Sequence, residues 1–261
     1  MEIFVNLNPI VLALIAGFFT WSLTSLGSAV VFLNKKPTRR FIDASLGFSA
    51  GIMLSASVWS LLLPSIELSN GDFLPKWFAP SLGFLLGTIC IYIVDNFLPH
   101  LHIFDSIEKQ EGVKSNLKKV TLIFLAMTIH NFPEGLAVGV TIGSGRILEG
   151  LVLALAIGVQ NFPEGMAISL PLYAEGTKRS KSFYYGSISA LVEPIGAVLG
   201  SVLVVLWQKI LPYALSFAAG AMVYVVVEEL IPESQKAENT NIATFALVAG
   251  FILMMIADLL F

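Results

Sequence analysis

Charged residues are scarce in this sequence: Asp, Glu, Lys and Arg make up only 13% of its 261 residues. A soluble globular domain usually carries about 25%. The hydrophobic content of 56% and the mean hydropathy of +0.82 indicate a membrane protein rather than a soluble one. The few Lys and Arg residues lie in short loop clusters and not along one helix face, which argues against a nucleic-acid partner.

Cysteine is almost absent, since Cys90 is the only one. It lies inside an apolar run, where a lone cysteine behaves as a small hydrophobic residue, so we expect neither a disulfide nor a thiolate metal cage. The N-terminal residues also lack the basic segment that begins a secretory signal. The first apolar run is therefore predicted to be a membrane span and not a cleaved leader.

Eight apolar runs have the length of membrane-crossing helices. A helix needs about 20 mostly apolar residues to cross roughly 30 Å of hydrocarbon. Barrel strands would be about 9–11 residues long with alternating polarity, which the sequence does not show. We predict an all-α membrane protein whose residues 1–261 form a single transmembrane domain. The predicted spans are 9–33, 41–64, 77–98, 120–143, 150–173, 184–206, 211–231 and 241–261.

Positive charge falls on alternate loops. Loops 34–40, 99–119, 174–183 and 232–240 hold 12 Lys and Arg residues, whereas the other loops hold 3 (Lys76, Arg146 and Lys209). Because positively charged loops stay in the cytoplasm, the first set is predicted to be cytoplasmic and both termini to lie outside. Glycines four residues apart predict close helix packing: Gly47 and Gly51, Gly83 and Gly87, Gly196 and Gly200.

The predicted spans contain no Lys or Arg, yet three of them carry a glutamate near mid-depth: Glu134, Glu164 and Glu193. Each buried charge costs roughly 2.5–3.5 kcal/mol on insertion scales, and intramembrane acids are usually functional. No fixed positive side chain in the spans compensates them. These carboxylates are therefore expected either to be protonated or to be neutralised by a mobile cation.

Two of the glutamates belong to a repeated motif. Residues 130–135 read His-Asn-Phe-Pro-Glu-Gly, and residues 160–165 read Gln-Asn-Phe-Pro-Glu-Gly. Because consecutive spans run antiparallel, the two copies face each other in opposite directions, as in transporters with an inverted repeat around a midplane site. At about 100° per residue, Glu134 lies between His130 and Asn131 on one helix face. Each glutamate could therefore bridge two adjacent cations.

Other residues near mid-depth add ligand chemistry. Pro133 and Pro163 have no N–H, which frees the carbonyls four residues earlier as further oxygen ligands. Met53 in the second span offers a soft thioether. Imidazole together with carboxylates suits Zn, Fe, Mn or Cd, whereas K⁺ and Na⁺ filters use rings of carbonyls. The sequence therefore predicts a site for a divalent transition metal inside the membrane.

These motifs resemble the ZIP family of zinc and iron transporters, in its bacterial GufA-type branch. The resemblance rests on the two motifs at 130–135 and 160–165, on Glu193-Pro194, and on residues 51–64 (GIMLSASVWSLLLP). It implies a homodimer in the bacterial inner membrane that moves zinc into the cytoplasm by alternating access, with cadmium, iron and manganese as further substrates. It implies no enzymatic activity, no catalytic cofactor and no nucleic-acid partner; the partners are metal ions and the lipid bilayer.

The resemblance also implies roles for individual residues. Many relatives have His at the position of Gln160 and Asp at that of Asn161. The principal metal site would comprise Met53, His130, Glu134, Gln160 and Glu164. A neighbouring second site would add Asn131, Asn161 and Glu193. The entrance would comprise Ser60, Glu67 and Asp258, and the cytoplasmic exit Asp95, His100, His102, Glu228 and Glu229.

Two other functional classes stay open at this stage. An intramembrane metalloprotease would offer His-Glu-x-x-His, but no span holds a histidine besides His130. A metal sensor or scaffold would hold a structural ion, whereas the kinked repeat and the acids towards both membrane faces favour passage. The sequence does not separate a carrier from a channel.

Overall fold

The computed structural model describes residues 7–33, 38–69, 74–102, 105–174 and 176–260. Within them, eight helices are long and apolar enough to cross a membrane, which confirms the predicted all-α membrane fold. Lys35 and Lys36 of the first predicted cytoplasmic loop, and Phe261 of the last span, lie outside the described residues. The helices are α1 (Pro9–Leu33), α2 (Arg39–Glu67), α3 (Phe78–Phe97), α4 (Lys119–Gly143), α5 (Ile147–Ala174), α6 (Arg179–Leu206), α7 (Gln208–Gln235) and α8 (Thr240–Leu260).

Several helices extend beyond the apolar runs from which they were predicted. α2 continues to Glu67, α6 begins at Arg179, and α7 ends at Gln235. An apolar run marks only the part of a helix in hydrocarbon, whereas its backbone hydrogen bonds continue into the polar interface. The predicted loops 174–183 and 232–240 are therefore shorter in the structure.

Three of the long helices are irregular at positions that matter for the site. α2 has a π-helical segment at Ser57–Leu62 and α7 has one at Val226–Leu230. Each lies just before a proline, Pro64 or Pro232, which cannot donate a backbone hydrogen bond. α6 is interrupted after Ser189 and resumes at Val192. The sequence-predicted residues Ser60, Glu228 and Glu229 lie inside the two π-helical segments.

The helices pack in two groups. In one, α1 packs along α5 and α6, and α4 packs along α6; in the other, α2 packs along α8 and α3 along α7. The groups meet mainly where α2 faces α5 and where α4 faces α7. The two repeated motifs lie on α4 and α5, at the boundary between the groups.

Glycines allow the closest helix contacts, as their spacing predicted. Gly47 and Gly51 of α2 lie against the backbone of α8 at Ala243 and Leu247, where an added Cβ would collide with a carbonyl oxygen. Gly83 and Gly87 of α3 make the same approach to α7, and Gly196 and Gly200 of α6 to α4. Each of these contacts joins two helices of the same group, so both groups are tightly packed internally.

Candidate metal site

The first motif brings a histidine and a glutamate together one turn apart on α4. Both His130 and Glu134 are fully buried, and His130 Nε2 lies 3.6 Å from Glu134 Oε1. Pro133 sits between them inside the continuous helix. Because the ring and the carboxylate share one face, a single cation can contact both side chains.

The second motif adds its glutamate from the neighbouring helix. Glu164 Oε2 on α5 lies 3.5 Å from His130 Nε2. One ligand atom each from His130, Glu134 and Glu164 can be chosen so that all three lie within 4.8 Å of one another. The inverted repeat therefore places one imidazole and two carboxylates around one point, as the sequence predicted.

Gln160 and α2 complete the surroundings of this point. Gln160 Nε2 donates to Glu134 Oε1 at 2.6 Å, which orients the carboxylate. On α2, Ser49 donates to the carbonyl of Gln160 at 3.3 Å, and Met53 is fully buried one turn further along the same face. This contact brings the Met53 face of α2 against the α5 motif.

Asn161 and Glu193 form a separate hydrogen-bonded group beside the first. Glu193 lies in the first turn of the second half of α6 and is fully buried. Its carboxylate accepts from Asn161 Nδ2 at 3.0 Å on both oxygens, and from the Thr24 hydroxyl at 3.4 Å. Asn131 is buried but has no hydrogen bond from its side-chain nitrogen within the described chain.

Several buried polar atoms of the two motifs lack hydrogen-bond partners among the described residues. An unsatisfied buried polar atom costs about 1–3 kcal/mol, and more when it is charged. Their concentration in the two motifs is the strongest structural sign of a ligand site. The atoms are both ring nitrogens of His130, Glu134 Oε2, Gln160 Oε1, Glu164 Oε1, Asn131 Nδ2 and Asn161 Oδ1.

A small cavity adjoins this site and the α3–α4 loop. Its lining includes His130 and Glu164 of the site, Glu229 and Glu233 of α7, and His102 of the loop. Glu229 Oε2 lies 3.6 Å from His130 Nδ1, on the other side of the ring from Glu134 and Glu164. Acidic side chains therefore continue from the membrane site towards the loop that the charge pattern predicts to be cytoplasmic.

The predicted exit residues converge around this loop. His100 Nε2 lies 3.1 Å from Asp95 Oδ1 at the end of α3, and His102 Nε2 lies 3.7 Å from Glu228 Oε1 of α7. Glu111 faces both rings, at 3.7 Å from His100 and 3.4 Å from His102, and pairs with His100 in an antiparallel bridge. Two groups could hold a cation: His100, His102 and Glu111, and Asp95, Glu228 and Glu229.

The two loop histidines are held protonated by these acids. Burial alone would lower the pKa of His100, but its contacts with Asp95 and the Leu98 carbonyl raise it to about 9. The contact with Glu228 outweighs burial and raises the pKa of His102 to about 9 as well. Both values exceed the ordinary histidine pKa of about 6.5, so the charged rings hold the loop against α3 and α7.

Loop docking in the metal-free protein should therefore weaken at alkaline pH. Because each pKa rises on docking, the stabilisation is complete below about pH 6.5 and is lost as the pH approaches 9. Trypsin cleavage at Lys109, Lys114 and Lys118, in chelator and corrected for trypsin activity, should accelerate over this range. A His100→Gln/His102→Gln variant should be cleaved faster at neutral pH and show little pH dependence. An unchanged wild-type rate across the range would contradict this prediction.

Two of the three predicted entrance residues are in contact at the opposite end of the bundle. The Ser60 hydroxyl lies 2.7 and 2.9 Å from the two carboxylate oxygens of Asp258 on α8. Arg146, between α4 and α5, donates to the Ser60 carbonyl at 3.3 Å and pairs with Glu149 at 3.4 Å. Glu67 is exposed at the end of α2.

Sequence reasoning missed four residues around these groups. Arg146 had only been counted as a loop charge, and Glu111 as part of a polar loop. Glu233 lines the inner cavity, and Thr24 contacts Glu193. None belongs to a recognisable motif, and each contacts its partners only in the folded protein. The one available sequence signal was for Glu233, which lies one helical turn after the predicted exit residue Glu229.

Comparison with known proteins gives consistent matches. The ZIP zinc transporter family profile matches residues 105–258, more than half of the chain. The human zinc transporter ZIP11 is 38% identical, with 94% of this chain and 96% of the relative covered. Zinc transporter GufA of Myxococcus xanthus is 35% identical, covering 94% and 97%. Zinc transporter ZupT of Clostridium perfringens is 35% identical, covering 98% of each.

Proposed function

The chain belongs to the ZIP zinc transporter family, and we propose that it carries zinc across the plasma membrane into the cytoplasm. It is a multi-pass membrane protein with eight spans. The observation that carries the proposal is the buried group of His130, Glu134 and Glu164, whose ligand atoms lie within 4.8 Å of one another and include atoms without hydrogen-bond partners in the described chain. Three buried acids in spans that were predicted to hold no Lys or Arg suit a site that a divalent cation occupies in transit.

The ligand chemistry favours zinc over hard cations. One imidazole nitrogen and two carboxylate oxygens, with a thioether and an amide nearby, form a donor set that zinc and cadmium accept. Mg²⁺ and Ca²⁺ prefer oxygen ligands alone. We propose Met53 and Gln160 as the remaining contributors to this principal site. Zinc is the expected substrate, with cadmium, iron and manganese as weaker candidates.

The path follows the acidic side chains in order. A hydrated cation would meet Glu67 and then Ser60 and Asp258 at the entrance, lose water in steps, and reach His130 and the motif glutamates. Glu229 contacts the far nitrogen of His130, so it is positioned to receive the ion. Release would follow through Asp95, Glu228 and the loop histidines. The Ser60–Asp258–Arg146 contacts and the cavity on the opposite side suit a state open towards the cytoplasm.

A transporter fits the described residues better than an enzyme or a structural metal protein. The buried membrane group contains one histidine, whereas a zinc protease of the His-Glu-x-x-His type would need two. A structural ion would need a closed ligand set, whereas acidic groups continue from this one towards the loop. We further propose that residues 1–261 act as one transport domain in a homodimer, with both termini outside and movement by alternating access.

Zinc uptake by purified protein in liposomes tests the proposal. Vesicles that contain the protein and a zinc-sensitive dye should show saturable fluorescence, whereas protein-free vesicles should not. Saturation at low zinc concentration with slow turnover would indicate a carrier, and rapid non-saturating flux a channel. Absence of flux with zinc, cadmium, manganese and iron alike would overturn the proposal.

A further inference from the structure

An arginine lies at the predicted entrance, although the path there is proposed to carry cations. Arg146 occupies the turn between α4 and α5 and is partly buried. Its Nη1 donates to the Ser60 carbonyl at 3.3 Å, and its Nε lies 3.4 Å from Glu149 Oε1. The guanidinium also interacts electrostatically with Asp258, whose carboxylate accepts from the Ser60 hydroxyl. A positive charge in this place repels an approaching divalent cation.

The Ser60 carbonyl is available to Arg146 because of a proline. In a regular α-helix this carbonyl would accept from the N–H four residues later, but residue 64 is Pro64 and has no N–H. Arg146 supplies a donor from outside the helix. Its position is fixed by the turn before it, where Gly145 has a φ of +89°, a conformation that favours glycine, and the Arg146 N–H donates to the Ser144 hydroxyl at 3.4 Å.

This contact joins the two helix groups. Arg146 lies between α4 and α5, which carry the two motifs, whereas Ser60 belongs to α2 and Asp258 to α8. Alternating access requires the groups to separate at the entrance when the metal site opens outwards. The bond between Arg146 and the Ser60 carbonyl must then break, because its two partners belong to different groups.

We propose that Arg146 is a tethered cation that closes the outer entrance and leaves it when the site opens outwards. Its guanidinium takes the place of an entering metal ion beside the carboxylates of Asp258 and Glu149, and its bond to the Ser60 carbonyl holds the two groups together. The inference rests on the proposed function, because it requires that the Ser60–Asp258 end is the entrance and that access alternates. It names the residue that controls access from outside.

The reaction rates of single cysteines test the inference in purified protein, in detergent with a chelator. Cys90→Ala first removes the one native thiol. Ser57→Cys then reports on the outer side, because Ser57 is buried and lies between Ser60 and Met53 on α2. Ala126→Cys reports on the inner side, because Ala126 lines the cavity that adjoins the metal site. The probe is N-ethylmaleimide, which is small and uncharged, so loss of the Arg146 charge does not alter its local concentration.

Arg146→Gln should make Ser57→Cys react about tenfold faster, since a hydrogen bond from a charged donor typically shifts an equilibrium by that factor or more. The same substitution should leave the rate at Ala126→Cys unchanged or lower it, because outward opening closes the inner side. Glu149→Gln is the matched control. It removes the ion pair and keeps the bond to the Ser60 carbonyl, so both rates should stay within about threefold of those with Arg146 and Glu149 intact.

Three results would overturn the inference. One is an unchanged rate at Ser57→Cys in Arg146→Gln. Another is a faster reaction at both cysteines, because loosened packing and not outward opening would then explain the change. The third is an equal effect of Glu149→Gln, which would assign closure to the ion pair and not to the Ser60 contact. Zinc uptake by wild type is measured separately in liposomes, so failure of the proposed function would appear there and not in these rates.

Discussion

Replacing Glu134 with Ala should reduce zinc uptake by about a hundredfold or more. Loss of a group that merely orients a metal ligand typically costs 10–100-fold in affinity, and loss of the ligand itself should cost at least as much. Glu134 is fully buried, lies 3.6 Å from His130 and accepts the Gln160 amide at 2.6 Å. Its removal takes away a charge, a ligand and the partner of Gln160. The measurement is the initial rate of zinc uptake in liposomes at matched protein content.

Glu149→Ala provides the matched control. Glu149 lies near the start of α5, is partly exposed, and pairs with Arg146 at 3.4 Å outside the buried group. Uptake by this variant should stay within about threefold of wild type, because exposed ion pairs contribute little, about 0–1 kcal/mol. Glu134→Gln should fail like Glu134→Ala, since it keeps the volume and loses the charge. Equal uptake by Glu134→Ala and wild type would remove Glu134 from the site.

Replacing Gly139 with Ala should destabilise the protein by about 1–3 kcal/mol, the usual cost of overpacking. An alanine Cβ there would lie 2.6 Å from the carbonyl carbon of Ala197 on α6 and 2.7 Å from its Cα. These are backbone atoms of a helix, so the clash cannot be relieved by a change of side-chain rotamer. Because the α4–α6 contact positions Glu193 beside the motif glutamates, zinc uptake should fall together with the melting temperature.

Gly158→Ala separates this effect from the general change of a glycine in a helix. Its added Cβ would meet only side-chain atoms, Leu23 Cδ1 at 2.7 Å and Phe19 Cε1 at 3.0 Å. Side-chain ends can rotate, and alanine in a helix gains about 0.5–1 kcal/mol over glycine. The melting temperature of this variant in detergent should therefore stay close to that of wild type. Equal melting temperatures for Gly139→Ala and Gly158→Ala would contradict the prediction that the close α4–α6 contact requires glycine at position 139.

Local chemistry made the spans and the grouping of His130, Glu134 and Glu164 predictable from sequence. The eight spans follow from the length of apolar runs, and the pairing of Glu134 with Glu164 follows from a motif repeated on antiparallel neighbours. The wheel placed His130 beside Glu134, and the structure has them 3.6 Å apart. The glycine pairs likewise indicated close packing at the right positions.

The remaining features depend on contacts between residues far apart in the chain. Arg146 contacts the Ser60 carbonyl, and Asn161 on α5 contacts Glu193 on α6, 32 residues further along the chain. Helical periodicity specifies a face but not which neighbour a side chain will meet there. The π-helical segments before Pro64 and Pro232 were missed for a related reason: a missing N–H indicates disruption without specifying its form. Glu111 meets the loop histidines only through the fold of a polar loop.

The central claim is that zinc crosses the membrane through the site at His130, and zinc uptake by wild type and His130→Ala tests it most directly. Both proteins would be reconstituted side by side in liposomes loaded with a zinc-sensitive dye, at equal orientation and content. His130 supplies the only imidazole inside the predicted spans. The account predicts rapid zinc-dependent fluorescence with wild type and almost none with His130→Ala. Undiminished zinc flux through His130→Ala would contradict it.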